Sequence, residues 1–565
     1  MSRSEPHVAS DPSDSPQELL LLPAPRRLER RPGRAAPDAP RRVIRDEAIA
    51  AEAYRLEIDP SEIRLIHADD AGRRHAEATL AQLPDRPCLR IEDSPRSPVR
   101  GVMLDISRDR VPTRESLLEL VDLLASWKIN HLQFYVEHAF AYRGHREAWE
   151  GWDPLTHEDV AAVAARCEAR GIDLAANQNC LGHLHRWFRL PQYAAMAEMK
   201  PGEPWDFNGL VMKEGPFSLC PSDPRSLPFV RGLLEEMLPL FPSRLANIGC
   251  DEAFDLGQGR SREVIRTRGR AAVYLAWVRE VAAIVRELGK RPQFWADIAL
   301  EHPESLGELP EDLVALCWGY EPDAPFARWV EQVREVGRSP WVCPGTSCWR
   351  TWTARTTERR ENLLAAARVP ADGFLVTAWG DLGHRQPPPV TLHGLAEAAH
   401  RAWSGETPFD PRASGVHAFG HADLGPWLDA LGDADRSLRT LARRRNASEL
   451  FVDLHLPWSA PAPGAAGDYE SVAATIDDLA RSMPPAEALV ERELRCGLRF
   501  ASIAATRGAI RRGRPGDRAS RRALAAALRD AIEERRELWL RSARPGGLES
   551  SLAHDRAVLE DLEQA

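Results

Sequence analysis

The chain has 565 residues, 43% of them hydrophobic and 28% charged, so a sizeable core can form and wholesale disorder is excluded. Its 84 acidic against 74 basic residues leave a net charge of −10, which sets nucleic-acid binding aside. At about 150 residues per domain this length accommodates three or four units, although single barrels run longer.

The opening residues, MSRSEPHVASDPSDSPQELLLLPAP, carry acids and prolines and only a short apolar run. They do not read as a signal peptide, and residues 1–16 read as disordered. No stretch approaches the roughly 20 apolar residues of a membrane helix, so no membrane role is expected. Nine Cys, an odd number without a CxxC pair, argue against a disulfide framework or zinc ribbon. A cytoplasmic location with reduced thiols is the expectation.

Residues 17–95 read as a small α/β domain. LLPAPRRLERRPG supplies an edge strand, and YRLEI (54–58) and EIRLI (62–66) alternate like strands around an Asp-Pro-Ser turn. DDAGRRHAEATLAQL follows as a helix, with Ala76, Leu80 and Leu83 at helical spacing. Three prolines in PCLRIEDSPRSPVR mark a linker.

Residues 96–409 alternate short apolar strands with amphipathic helices. The strands fall at 100–107, 131–137, 173–179, 246–252, 293–298, 313–320, 341–345 and 373–380. Among the helices, TRESLLELVDLLASWK begins at Thr113, THEDVAAVAARCEARG runs from a Thr cap to Gly171, and SREVIRTRGRAAVYLAWVREVAAIVRELG is the longest. This pattern predicts a (β/α)8 TIM barrel. A doubly wound sheet is the alternative, but no glycine-rich phosphate loop follows the first strand. Residues 410–565 form a C-terminal helical region, packed on the barrel or on a partner subunit, so a homodimer is one outcome.

In a barrel, reactive groups gather at the C-terminal strand ends. Here those ends carry Asp105 and Arg108, Glu137 and His138, Asn177 to Asn179 with His183 and His185, and Asp251 and Glu252. Trp295 and Asp297, Trp318 and Tyr320, Ser347 and Trp349, and Trp379, Asp381 and His384 complete the rim. Carboxylates, His and Trp together suit a carbohydrate, because indole faces pack on a pyranose ring while charged groups bind its hydroxyls. An acid pair such as Asp251–Glu252 is common by chance, but this one ends an apolar strand, where unpaired charge does not belong in a core.

Six segments in order carry a family resemblance: VRGVMLDISR (99–108), NQNCLGH (177–183), NIGCDEAFDLGQG (247–259), FWAD (294–297), CWGYE (317–321) and VTAWGD (376–381). From about residue 17 to about 405 the chain resembles glycoside hydrolase family 20, the β-N-acetylhexosaminidases. The IGCDE form is most similar to the hexosaminidase D-like branch. The resemblance implies exo-acting, retaining hydrolysis of N-acetylhexosamine-containing glycans, with the substrate's acetamido oxygen as nucleophile and no metal or cofactor. It further implies Glu252 as general acid/base and Asp251 as the carboxylate that orients the acetamido group. Arg100, Glu137 and Asp381 would bind sugar hydroxyls, His183 would support the acid, and Trp295, Trp318 and Trp379 would wall the sugar.

One departure stands out. The family commonly supplies a Tyr near strand 7 for the acetamido oxygen, and CPGTSCWRTW has none. Tyr320 or a Ser347/Trp349 pair are the replacements within reach. A glycosidase with a shifted substrate and a non-catalytic sugar-binding barrel are the competing readings. His183-Leu184-His185 reads as structural rather than as a metal pair.

Overall fold

The computed structural model describes residues 18–514 and 518–564; the expected disorder of residues 1–16 falls outside them. A five-stranded sheet comes first: β1 (Arg27–Arg34), β2 (Arg41–Arg45), β3 (Tyr54–Asp59), β4 (Glu62–His67) and β5 (Pro87–Asp93), in the order β1-β5-β3-β4-β2. β3 and β4 pair antiparallel, Tyr54 opposite His67, and bury Leu56, Ile58, Ile63 and Leu65. The helix Asp70–Ala81 covers them, its start capped by Asp69, whose side chain accepts from the Gly72 N–H. β1 is an exposed edge. β2, absent from the sequence reading, is exposed throughout and offers only Val43 and Ile44 as apolar residues, too little pattern to recognise.

The barrel strands are β6 (Arg100–Asp105), β7 (His131–Val136) and β8 (Asp173–Gln178). An excursion hairpin follows, β9 (Pro204–Phe207) and β10 (Val211–Glu214). Then come β11 (Leu245–Asn247), β12 (Arg291–Trp295), β13 (Val314–Trp318), β14 (Ser339–Cys343) and β15 (Gly373–Ala378). Apart from the hairpin, all are parallel and close as β15 pairs with β6, Phe374 opposite Arg100. The expected (β/α)8 barrel is the fold, each strand overlapping its expected span.

Inside the barrel a buried amide layer holds the strands in register. Gln133 donates to Gln293 Oε1 at 2.9 Å and accepts from Asn177 and Asn247 at 3.0 and 3.2 Å. This gives the Asn177 amide N–H of the polar AANQN segment a buried partner, although Asn177 Oδ1 has none among the described residues. Above it, toward the strand ends, the lumen fills with aromatic residues, among them Tyr135, Trp295, Trp349 and Trp379.

Two local expectations differ, and the expected helix caps hold. The fourth strand ends at Asn247, not near residue 252, because Gly249, Cys250 and Glu252 take positive φ of 66°, 71° and 50° and cannot continue a ladder. The longest helix is broken into Arg262–Arg268 and Arg270–Glu287 by Gly269, at φ 84° and ψ 150°. Thr113 caps its helix through the Ser116 N–H, whereas Thr156 and Asp159 form a full capping box.

The helices Ala488–Arg511, Arg518–Ser542 and Leu548–Gln564 share one hydrophobic core with Cys348, Trp352 and Val390 of the barrel. The C-terminal region therefore packs on the barrel of its own chain. No helix among the described residues is long and apolar enough to cross a membrane.

Candidate active site

The site is built from the ends of the barrel strands. At the end of β6, Asp105 turns the chain by accepting from the Ser107 and Arg108 N–H groups at 2.9 and 3.2 Å. Its other oxygen accepts from Gly380 N–H at 2.9 Å, tying the first strand end to the eighth. Arg108 then reaches across, 3.2 Å from Glu137 and over the rings of Tyr135 and Trp379 at 4.6 and 5.0 Å. Burial works against its charge, but Glu137, Tyr135 and Asp105 outweigh that and hold it above the ordinary arginine range.

Arg100, expected at the sugar site, is not there. It is the first residue of β6, so the length of the strand, about 16 Å, separates it from the catalytic end. Fully buried, it pairs with Glu52 of the N-terminal domain at 2.6 Å and donates to the Lys128 and Ser97 carbonyls. The same motif holds both arginines, and strand polarity assigns Arg108 to the site and Arg100 to the domain junction.

Asp251 and Glu252 follow β11 in the left-handed turn just described. Asp251 is nearly enclosed: Asn179 donates to its Oδ1 at 2.8 Å, and His183 Nε2 stands 3.3 Å from its Oδ2. Burial raises its pKa, but the facing His183 and Arg108 reverse this and keep the carboxyl below the usual range. Glu252 is the more open, its side chain 28% exposed, with His183 Nε2 at 3.4 Å. His183 thus faces both acids. Burial opposes its protonation, yet Asp251 and Glu252 push its pKa up to about 10. Behind it, Tyr135 donates to Glu137 at 3.1 Å and accepts from Asn179, joining Glu137 to the network around Asp251.

A third carboxyl, Asp297, lies directly under the pair. Its Oδ2 accepts from the Glu252 N–H at 2.9 Å and its Oδ1 from Trp318 Nε1 at 3.3 Å. Burial, with Asp251 and Glu252 adding like charge, raises its pKa well above the usual carboxylate value, which favours the protonated form. Sequence reading named Asp297 at the rim but gave it no role. The shared FWAD segment was the available signal.

The aromatic residues form a connected wall. Trp318 stacks on Tyr320 at 5.2 Å, Tyr320 meets Trp349 edge-on at 4.8 Å, and Trp379 donates its Nε1–H to Tyr320 Oη at 2.7 Å. Trp295 is 1% exposed and backs Trp379 at 6.0 Å, so it supports the wall rather than facing the opening. Tyr320, not the Ser347/Trp349 pair, places its hydroxyl in this wall. Asp381 follows Trp379, and among the described residues its carboxylate has no hydrogen bond or ion pair. Burial raises its pKa against the pull of Arg108.

The hairpin β9–β10 closes one side and adds Lys213, which sequence reading missed. Its ammonium lies 3.5 Å over Phe207 and 4.7 Å over Phe217, and Phe217 packs edge-on against His183 at 4.7 Å. The Asn208-Gly209 turn, with φ of 52° and 72°, was the signal that could have revealed this hairpin. Among the described residues no group of three His, Cys, Asp or Glu side chains is placed to hold a metal ion.

This arrangement pairs an enclosed carboxylate with an open carboxyl group before an aromatic wall, as needed to protonate a sugar's leaving oxygen while stabilising positive charge. Comparison with known proteins agrees. Residues 98–339 match the model of the glycosyl hydrolase family 20 catalytic domain. A beta-hexosaminidase of Akkermansia muciniphila is 28% identical over 336 residues, 52% of this chain and 66% of that protein. A beta-N-acetylhexosaminidase of Cellulomonas fimi is 26% identical over 53% of this chain and 60% of that one. The chain thus spans 66% and 60% of the length of these two curated relatives. Among solved structures, a Flavobacterium johnsoniae chitobiase covers 90% of this chain and 96% of its own, with a TM-score of 0.58 at 16% identity. A Vibrio harveyi exo-β-N-acetylglucosaminidase in complex with N-acetylglucosamine covers 73% of this chain and 78% of its own, with a TM-score of 0.57 at 18% identity.

Proposed function

Because this chain carries a glycosyl hydrolase family 20 catalytic domain over residues 98–339, we propose that it is an exo-acting, retaining β-N-acetylhexosaminidase. It would release terminal β-linked N-acetylglucosamine or N-acetylgalactosamine from glycans by substrate-assisted catalysis. The observation that carries this reading is the Asp251–Glu252 pair, one carboxylate enclosed and held ionised by His183, the other open beside the aromatic wall.

In the first step the acetamido oxygen attacks the anomeric carbon as the glycosidic C–O bond breaks. Glu252 gives its proton to the departing oxygen. Asp251 accepts a hydrogen bond from the acetamido N–H and stabilises the positive charge that develops on the oxazolinium ring. In the second step Glu252, now a carboxylate, takes a proton from water as the water oxygen attacks the same carbon and the ring opens. Two inversions give retention. Arg108 and Asp381 would meet ring hydroxyls, Glu137, only 1% exposed, would hold Arg108 from behind rather than bind the sugar, and Trp318, Tyr320 and Trp379 would enclose the acetamido group and the ring face. All nine Cys are free, buried thiols, which suits a reducing, cytoplasmic compartment.

The test is turnover of aryl N-acetyl-β-glucosaminide and N-acetyl-β-galactosaminide. Asp251→Asn and Glu252→Gln are each expected to lose ~10²–10⁴-fold in rate. Glu252→Gln should spare aryl glycosides, whose leaving group needs little protonation, more than a disaccharide. Absence of turnover on both substrates sinks the proposal.

A further inference from the structure

The helices Arg518–Ser542 and Leu548–Gln564 form a hairpin that stands on the catalytic end of the barrel. Its turn and flanks meet three loops, each carrying a residue of the site. Two residues after Arg108, Arg110 donates to Ser542 Oγ at 2.7 Å. Three residues after His183, Arg186 donates to Ser550 Oγ at 3.0 Å.

The third loop, just after Asp381, is gripped most closely. Ser551 Oγ donates to the Gly383 carbonyl at 2.5 Å. Arg535 Nη2 donates to the same carbonyl at 2.9 Å and to the His384 carbonyl at 3.3 Å. Arg385 of the loop donates back to the Ser551 carbonyl at 2.9 Å. Asp555 locks both arginines, 2.5 Å from Arg385 and 3.2 Å from Arg535. Ser551 and Asp555 are fully buried.

The loop needs such a grip. Leu382, Gly383 and His384 have φ of 59°, 90° and 48°, three left-handed residues in a row. Only the glycine adopts that conformation freely, and for Leu and His it persists only where the surroundings impose it. A Cβ on Gly383 would lie 2.5 Å from Ser551 Oγ, so the helix and the loop are fitted to each other. Asp381 immediately precedes the run, its carboxylate unpaired among the described residues. The hairpin lies outside the matched residues 98–339.

We propose that this C-terminal hairpin is part of the catalytic machinery, with Arg535 and Ser551, locked by Asp555, as positioning residues that aim Asp381 at the sugar. The role of Asp381 rests on the hexosaminidase reading above. The grip on the loop does not.

Arg535→Lys keeps a charge near Asp555 but has no fork to hold that carboxylate through Nη1 and the Gly383 and His384 carbonyls through Nη2 at once. Hydrogen exchange of residues 380–386 is expected to speed up about tenfold in this variant while β6–β8 stay unchanged. On the aryl glucosaminide, kcat/KM should fall about tenfold, mainly through KM, as expected for weakened hydroxyl binding. In the Asp381→Asn background the same change should cost less than about twofold more. Wild-type exchange in the loop, or equal losses in both backgrounds, overturns the proposal. Should Arg535→Lys fail to fold, Ser551→Ala is carried through the same measurements and judged by the same two outcomes. If the wild type turns over neither aryl substrate, the function falls, and loop exchange alone decides whether the hairpin positions the Asp381 segment.

Discussion

Asp297 offers the sharpest perturbation, because three separate features of the site meet on it. Its Oδ2 accepts from the Glu252 N–H at 2.9 Å, and Glu252 sits in a left-handed conformation at φ 50°. Removing the acceptor leaves a buried N–H unpaired, worth about 1–3 kcal/mol, and frees a backbone strained by a further ~1 kcal/mol or more. Together these are enough to let the acid drift, and a misplacement of about 1 Å costs on the order of 10²-fold in rate. Asp297→Ala should therefore lose ~10²-fold in kcat/KM, with a disaccharide affected more than an aryl glycoside. Asp297→Asn should lose only about tenfold or less: burial and the neighbouring acids raise the pKa of Asp297 and favour its protonated form, and a neutral amide still offers one acceptor to Glu252. Steady-state kinetics on both substrates decide the matter. Equal losses for Asn and Ala would refute the neutral-carboxyl argument, and an Ala variant with wild-type kinetics would refute the positioning argument.

Two further outcomes follow from the geometry. Arg108→Ala should lose ~10²-fold or more in kcat/KM, since it removes the cation shared by Glu137 and the Trp379 wall. Arg100→Ala should leave kcat/KM unchanged but destabilise by about 2–4 kcal/mol, seen as a lower denaturation midpoint, because it strands Glu52 at the domain junction. The reverse pattern would restore Arg100 to the site. For His183, the folded pKa is raised to about 10 from an ordinary ~6.5, so its stabilisation is complete below pH ~6.5 and disappears as pH rises through 10. The stability gap between wild type and His183→Gln, measured by urea unfolding, should narrow from pH 6 to pH 10, and a gap that stays constant contradicts the assignment.

Much of the architecture was legible because buried parallel strands read as apolar runs separated by capped helices. VRGVML, LQFYV and FLVTA are of this kind, and Thr113, Thr156 and Gly171 mark real helix ends. The failures have local causes. LANIGCDE continues its apolar run past Asn247, and nothing in hydrophobicity announces that Gly249 and Cys250 turn left-handed. Gly269 sits in a run helical on both sides, and only its backbone angles reveal the break. β2 has too few apolar residues to show alternation.

The candidate site divides in the same way. Sequence by itself determined the chemistry available: which carboxylates, His and Trp stand at strand ends, and that Asp251 and Glu252 are adjacent. It did so because strand polarity and a period of two are local properties of the chain. Tertiary structure alone decided that Arg108 rather than Arg100 meets the acids, that Asp297 lies beneath Glu252, and that Tyr320 completes the wall through Trp379. It also decided that Arg535, Ser551 and Asp555 reach the Asp381 loop from more than 150 positions away. Each of these is a contact between distant segments, and only closure of the barrel and docking of the last helices upon it create them.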